Sequence, residues 1–427
     1  MRGLIFVAAV LACAPTLFPQ PARRQPMQLG VDADDWNNQI RNPTFENSLR
    51  KMQIDFISWH IQPEEEANPA RMREIADFCR RNRWHYLFNT EVGNYRRNEP
   101  RFRHPDGTYR YDLAEQTLQQ GKDDPFFIGV VYDEGDLVQA MLGMPDGKRG
   151  SVEPYLTDTR KLTPVQAYFA VFGAAAKLET RYKAYGKRVI FEMTFPDNPF
   201  AFARAGALLA PKLLKENFND LMFAVYRGAA LEYNSRELWA CIDLWFLDKF
   251  PAAGKYGPGY HTPAELLSAL QFAYAAGFDS VYIEQVKALV DERFELTEYG
   301  KKVVEFQSWR KAQAMGNWRT GKIDYVVKRF PDGYWGQSFS TFIPDHPYGS
   351  WTANPYHPLD AQWFKTLNEL SHHAIPTDAD TLNAQLEPFF SKRPFQASAG
   401  LPPMIVIDPF ASFPVPPSAK MIDLSPK

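Results

Sequence analysis

The sequence predicts a (β/α)8 TIM barrel with a small C-terminal α+β extension. Three observations carry that expectation. Short apolar runs alternate with helical segments from about Met27 to Trp309. Eight such runs can be counted, which suits a closed barrel of parallel strands better than an open sheet. Finally, the residues that fall on one side of each run, when taken alternately, are acidic or polar near its carboxyl end.

The runs are "MQLGVDADDW", "DFISWHI", "WHYLFNTEVG", "FFIGVVYDEGD", "RVIFEMTFPD", "LMFAVYRG", "WACIDLWF" and "SVYIEQV". The helical segments between them include "ANPARMREIADFCRRN" and "TPVQAYFAVFGAAAKLETRYKAYG". "TPAELLSALQFAYAAG" carries a full set of boundary signals. Thr262 is its N-cap, Pro263 its first helical residue, Glu265 completes a capping box, and Gly277 marks the exit.

Alternation divides each strand between helices and barrel interior. Val189, Phe191 and Met193 are expected outward, leaving Ile190, Glu192 and Thr194 inside. The same parity places Asp32, Ser58, His60, Cys241, Asp243, Tyr282 and Glu284 inside. In the fourth run, Ile128 and Val130 are expected outward, with Gly129, Val131 and Asp133 inside and Glu134 just past the rim. Asn89 and Glu91 share a face in the third. The acids therefore gather at the carboxyl ends of several strands, the end that carries the active site in this fold.

Composition narrows the function classes. The 427 residues have a net charge of −2, without the basic excess of a nucleic-acid surface. No glycine fingerprint follows the first strand, and no CxxC or HxxxH spacing suggests zinc. Aromatic residues make up 15%, a mild tilt toward a sugar-binding cleft. The N-terminus, "MRGLIFVAAVLACAPTLFPQPARRQP", fits a secretory signal peptide and linker over residues 1–26. "VLAC" ending at Cys13 also looks like a bacterial lipoprotein cleavage box, which leaves a lipid anchor open. The protein is expected to be secreted or periplasmic, with no membrane span. Cys79 and Cys241 read as buried free thiols.

An acid-lined and aromatic mouth in an exported barrel resembles the (β/α)8 glycoside hydrolases. The resemblance covers residues 27–310 and rests on "VVYDEGD", "FEMTFPD", "CIDLWF" and "VYIEQ". It departs from the commonest pattern, because no Asn–Glu pair ends strand four and strand seven ends in Asp243. The resemblance implies cleavage of a poly- or oligosaccharide by paired carboxylates, with no cofactor and no metal. Glycoside cleavage needs a proton donor at the leaving oxygen and a second carboxylate across the sugar. Asp133 or Glu134 is the expected acid/base and Asp243 its opposite, with Glu192 the rival for either role. Asp32, His60, Asn89, Glu91, Tyr132, Glu232 and Glu284 are expected to bind substrate, Glu232 from a loop after strand six. Trp36, Trp59 and Trp245 are candidate stacking surfaces.

Two other readings stay open: a metal-dependent hydrolase or lyase barrel, and a non-catalytic carbohydrate-binding barrel. With the sixth strand at "LMFAVYRG", no lysine lies within a strand, which argues against imine chemistry. Lys287, just after strand eight, is the nearest. Two segments are expected to line the mouth, "YRRNEPRFRHPDGTYRYD" after strand three and "GKYGPGYHTP" before the seventh helix. The extension, residues 313–409, reads as a strand at "KIDYVV", a helix at "LDAQWFKTLNELSHHAIP" and a strand at "PPMIVIDPF". The proline-rich tail, residues 410–427, is expected to be extended or mobile.

Overall fold

The computed structural model describes residues 26–34, 38–66, 68–91, 112–140, 142, 156–194, 199–214, 219–244, 261–329, 335–336 and 401–424. Eight parallel strands close into a barrel in sequential order. They are β1 (Gln28–Ala33), β2 (Phe56–His60), β3 (His85–Asn89), β4 (Phe127–Tyr132), β5 (Arg188–Met193), β6 (Leu208–Leu213), β7 (Trp239–Asp243) and β8 (Ser280–Glu284). Pairing of β8 with β1, Ser280 opposite Gln28, completes the closure. Helices occupy the crossovers, and Thr262 caps Pro263–Ala276 in a capping box that ends at Gly277 in the left-handed conformation, as the sequence signals require.

One strand was expected in the wrong place. "LMFAVYRG" belongs to the helix Asn219–Glu232, and β6 is the preceding segment "LLAPKL". The physical reason is double burial. Met222 to Tyr226, Ala229 and Ala230 are all buried. The helix packs on β6 and also beneath the C-terminal sheet, where Gly228 lies so close to the Val406 carbonyl that a Cβ there would sit 1.8 Å from it. A helix covered on two sides loses its polar stripe and reads as a continuous apolar run. β6 was masked in turn by Pro211 and Lys212, which are rare inside strands.

Within the barrel the parity holds at most positions. Phe56, Leu87, Val131, Ile190, Leu208, Ala210, Trp239, Cys241 and Tyr282 form an inner cluster. Leu29, Val31, Val130, Val189, Phe191, Met193, Ile242, Val281 and Ile283 belong to the larger core between barrel and helices. The exception is Ile128, expected outward, which packs on the inner cluster. The register of β3 against β4 slips there, with Tyr86 opposite Phe127 but Leu87 opposite Gly129. Gly129, at φ 154°, accommodates this bulge because a Cβ would lie 2.0 Å from the Arg188 carbonyl.

After the barrel, β9 (Tyr325–Lys328), β10 (Met404–Ile407) and β11 (Lys420–Asp423) form a parallel sheet in the order β10-β9-β11. The first two are the expected strands. The third lies in the proline-rich tail, expected to be extended or mobile, and is an extended edge strand there. As a four-residue edge strand with largely exposed side chains, β11 has no apolar face to announce it. The expected helix within "LDAQWFKTLNELSHHAIP" lies outside the described residues. Asp408, just past β10, ties this sheet to the barrel's helices. Its carboxylate accepts from the hydroxyls of Tyr168 (2.8 Å) and Tyr233 (2.6 Å). Replacing Asp408 with Ala should lower unfolding free energy by about 2–4 kcal/mol, since hydrogen bonds to a charged acceptor contribute about 1.5–3 kcal/mol each. Urea denaturation, with β10 fluorescence reporters avoided, checks this directly; an unchanged midpoint contradicts it.

Candidate active site

The site is built from the last inward residue of nearly every barrel strand. On β6 the alternation Leu208, Ala210, Lys212 carries a lysine to the same level as the acids of its neighbours. Lys212 Nζ lies 2.6 Å from Glu192 Oε1, 2.7 Å from Glu284 Oε2, 3.0 Å from Asp243 Oδ2, 3.2 Å from Asp133 Oδ1 and 3.5 Å from Glu134 Oε1. The carboxyl groups come from β5 and β8, from the end of β7, and from the two residues after β4.

Consecutive side chains on a strand point apart, so Asp133 and Glu134 require a break to reach one ammonium. Glu134 provides it with φ 51°, the left-handed region that non-glycine residues seldom occupy. Asp136, the third acid of the "YDEGD" segment, does something else. Both of its carboxylate oxygens accept from the Thr194 backbone N–H at 3.1 Å, anchoring the end of β5.

A second cluster adjoins the first. His60 Nε2 lies 2.9 Å from Asp32 Oδ1 and 3.7 Å from Asp133 Oδ2, and its Nδ1 lies 3.4 Å from Glu91 Oε2. Asn89 Nδ2 donates to Asp133 Oδ2 at 2.9 Å, and Asn89 Oδ1 accepts the Glu91 N–H at 3.0 Å. Asp133 thus joins the two clusters.

Seven carboxyl groups (Asp32, Glu91, Asp133, Glu134, Glu192, Asp243 and Glu284) therefore meet two basic side chains, Lys212 and His60. Like charges 4 Å apart repel by about 4 kcal/mol at an effective dielectric of 20, so the cluster cannot hold every acid as an anion. Burial raises the Glu192 carboxyl well above its ordinary range, aided by the charge on Asp133 and opposed by Lys212. Burial likewise raises Glu284, with Asp243 adding to it. Burial also raises Asp32, against the pull of His60. Glu91 is pushed to about 7 by burial and by Asp133. Asp133 goes the other way: burial opposes its ionisation, but Lys212 and His60 outweigh it and hold the carboxyl below its usual range. Burial opposes charge on His60 and Lys212 as well. Asp32 keeps the imidazole protonated, and Asp133, Asp243, Glu192 and Glu284 raise the ammonium well above its ordinary value.

The acids lie at two depths. The side chains of Asp133, Glu192 and Asp243 are 0% exposed, whereas Glu134 retains 6%, Glu284 10% and Glu91 28%. The inner layer continues downward through Tyr282, whose hydroxyl donates to Glu192, and Cys241, whose Sγ lies 3.7 Å from Glu284 Oε2.

Of the residues expected at the mouth, Asp32, His60, Asn89, Glu91, Asp133, Glu134, Glu192, Asp243 and Glu284 converge there. Three do not. Tyr132 faces outward, stacked on Phe191 at 5.2 Å, and its hydroxyl donates to Asp112 at 2.7 Å. Trp59 is fully buried in the core between barrel and helices, because its neighbours Ser58 and His60 take the inward positions. Glu232 ends the helix after β6, at the far end of the barrel from the mouth. There its carboxylate accepts the Asp408 N–H at 2.9 Å, and burial raises it to about 9. Trp36 and Trp245 lie outside the described residues, as do most of the loop from Tyr95 and most of "GKYGPGYHTP". The residue that sequence reasoning missed is Lys212. Its signal was present, since Leu208, Ala210 and Lys212 alternate as the neighbouring strands do.

A cavity of about 590 Å³ lies elsewhere, lined by Gln28, Asp124, Arg188, Trp239, Asp279 and Ser280. Those residues mark the amino ends of the strands, the face associated with stability. Its size does not make it the reacting centre. Among the described residues, no helix is long and apolar enough to cross a membrane.

No family model and no curated protein matches the chain. Solved structures that resemble it are distant. GH5_18 from Streptomyces cattleya in complex with GlcNAc aligns at 12% identity and a TM-score of 0.48, covering 91% of this chain and 99% of that one. The catalytic module of a family 98 glycoside hydrolase from Streptococcus pneumoniae, in complex with the H-disaccharide blood group antigen, aligns at 10% identity and a TM-score of 0.47 over 90% of this chain and 66% of that one. D-psicose 3-epimerase from Clostridium cellulolyticum aligns at 9% identity and a TM-score of 0.34, over 67% and 98%. The barrel itself is established by its strand pairing, and likenesses this distant do not bear on its chemistry.

Proposed function

We propose that the chain is an exported glycoside hydrolase that cleaves a poly- or oligosaccharide with carboxyl groups at the mouth of the barrel. The observation that carries this reading is the convergence of seven carboxyl groups on Lys212 and His60 at the strand ends, where burial raises Glu192 and Glu284 while the two cations hold Asp133 down. Where environments push neighbouring carboxyl groups apart in pKa, an acid and a base are available at one pH.

Depth then selects among them. Glu134 and Glu284 sit on the exposed side of Lys212, from the ends of β4 and β8, strands that face each other across an eight-membered ring. Glu284, raised by burial, is the proton donor in this reading. Glu134 is the opposing carboxylate, and Asp133, Glu192 and Asp243 form the layer beneath. Because Glu134 and Glu284 meet the same Nζ at 3.5 and 2.7 Å, the two contacting oxygens cannot be farther apart than the sum of those distances. That bound accommodates the roughly 5–5.5 Å separation of a retaining pair, which this reading adopts. Asp32, His60, Asn89 and Glu91 are placed to hold sugar hydroxyls.

One observation favours a second reading, a divalent-cation barrel: His60, Asp133 and Glu284 offer atoms within 4.8 Å of one another. The ammonium of Lys212, already 3.2 Å from Asp133 and 2.7 Å from Glu284, supports the first. The test is incubation of the protein with a panel of polysaccharides and oligosaccharides, with and without EDTA, assayed for reducing ends. EDTA-insensitive release supports the glycosidase. Release abolished by EDTA and restored by Mg²⁺, Mn²⁺ or Zn²⁺ transfers the site to the cation reading. Glycan binding without release makes it a receptor.

A further inference from the structure

We infer that Lys212 is a positioning residue that apportions charge within the site, its one buried ammonium deciding which of the surrounding carboxyl groups is an anion and which carries a proton. The inference rests on the glycosidase reading for its kinetic consequence, but its structural content stands without it.

The geometry is that of one cation shared among five acids. Lys212 is 2% exposed, and its Nζ lies within 3.5 Å of Asp133, Glu134, Glu192, Asp243 and Glu284. A single positive charge cannot neutralise five negative ones where water reaches only the outer two acids, so surplus negative charge is relieved by protonation. The groups facing it can be named strand by strand: Asp32 on β1, His60 on β2, Asn89 and Glu91 at β3, Asp133 and Glu134 after β4, Glu192 on β5, Cys241 and Asp243 on β7, and Tyr282 and Glu284 on β8.

His60, the other cation among these groups, is engaged by Asp32 and Glu91 and lies 3.7 Å from Asp133. Lys212 is closer to Asp133, at 3.2 Å, and it alone of the two reaches Glu192, Asp243 and Glu284 within ion-pair distance among the described residues. The shifts follow this arrangement: Lys212 and His60 hold Asp133 below the usual carboxylate range, while burial raises Glu192 and Glu284. The same ring of acids keeps Lys212 protonated, so it is a poor amine nucleophile.

Removing the ammonium has a defined sign. Lys212 lowers the pKa of Asp133, Glu192 and Glu284 alike, so Lys212→Met should raise all three. In the pH profile of kcat/KM, both limbs should move to higher pH, the acid limb by about one unit or more. Lys212→Arg, which keeps the charge, should return the limbs toward the wild-type positions. A merely structural lysine predicts lower activity or a lower Tm with both limbs in place, and that result overturns the inference.

Infrared difference spectroscopy of the carboxyl stretch supplies a readout that needs neither substrate nor a folded Lys212 variant. With Glu179 and Glu232, carboxyl groups raised outside the mouth, both changed to Gln, the full-length protein at neutral pH should still show buried protonated carboxyl groups, and a spectrum with none overturns the inference even if neither Lys212 variant folds. Where Lys212→Met folds, its protonated band should grow, and an unchanged band counts against Lys212. If the sugar panel fails but the infrared result holds, the glycosidase reading falls and the charge-setting role of Lys212 survives.

Discussion

Glu284→Gln should lower kcat/KM on a natural glycoside by about 10²–10⁴-fold, the usual contribution of a positioned general acid. The carboxamide keeps the shape of the side chain but has no proton to give to a leaving oxygen. The loss should therefore depend on the leaving group. An aryl glycoside whose phenolate departs unaided should be cleaved by Glu284→Gln with kcat/KM close to that of the wild type, while kcat falls because the same carboxylate must deprotonate the water of the second step. Glu134→Gln should behave differently, losing about as much on the aryl substrate as on the natural one, because the carboxylate across the sugar is needed whatever leaves. A thousandfold loss corresponds to about 4 kcal/mol of transition-state stabilisation. Equal losses on both substrates in Glu284→Gln would remove it from the donor role and return Glu192, its protonated neighbour beneath, to that position.

Phe56→Ala should destabilise the fold by about 3–5 kcal/mol, the range for emptying a large aromatic site in a packed core. Phe56 fills the lower barrel interior, with its ring centroid 5.3 Å from that of Trp239 and 6.3 Å from that of Tyr282. Gly30 on β1 exists to admit it, since a Cβ there would lie 2.3 Å from the Phe56 ring. The effect should also reach the mouth. Tyr282 rests against Phe56 and donates its hydroxyl to Glu192, so a looser ring loosens the floor of the acid cluster. Chemical denaturation measures the first effect and kcat the second. A stability loss below about 1 kcal/mol would mean the barrel interior is packed by other residues.

These two residues show what the sequence disclosed. Phe56 and Glu284 both follow from alternation along an apolar run, the signal that located seven of the eight barrel strands and nine of the mouth residues. It failed where burial was unusual. The helix Asn219–Glu232 is covered on both sides, so its apolar run imitated a strand, and the shift hid Lys212. A bulge at Gly129 reversed Ile128 locally, which no alternation rule anticipates. Tyr132 and Trp59 suit a sugar site by residue type, although their parity places them outward. Glu232 was misplaced by the same strand error that hid Lys212. The charge states within the cluster were beyond reach for a different reason: they depend on distances to one ammonium across the barrel, and sequence spacing carries no such distances.

The most direct test of the proposed chemistry is the anomeric configuration of the first product, followed by proton NMR on whichever glycoside of the panel is cleaved, with EDTA present. Two carboxyl groups gathered about Lys212 predict EDTA-insensitive cleavage in which the initial product keeps the configuration of the bond that was broken. An initially inverted product, or cleavage that stops with EDTA, would contradict the account.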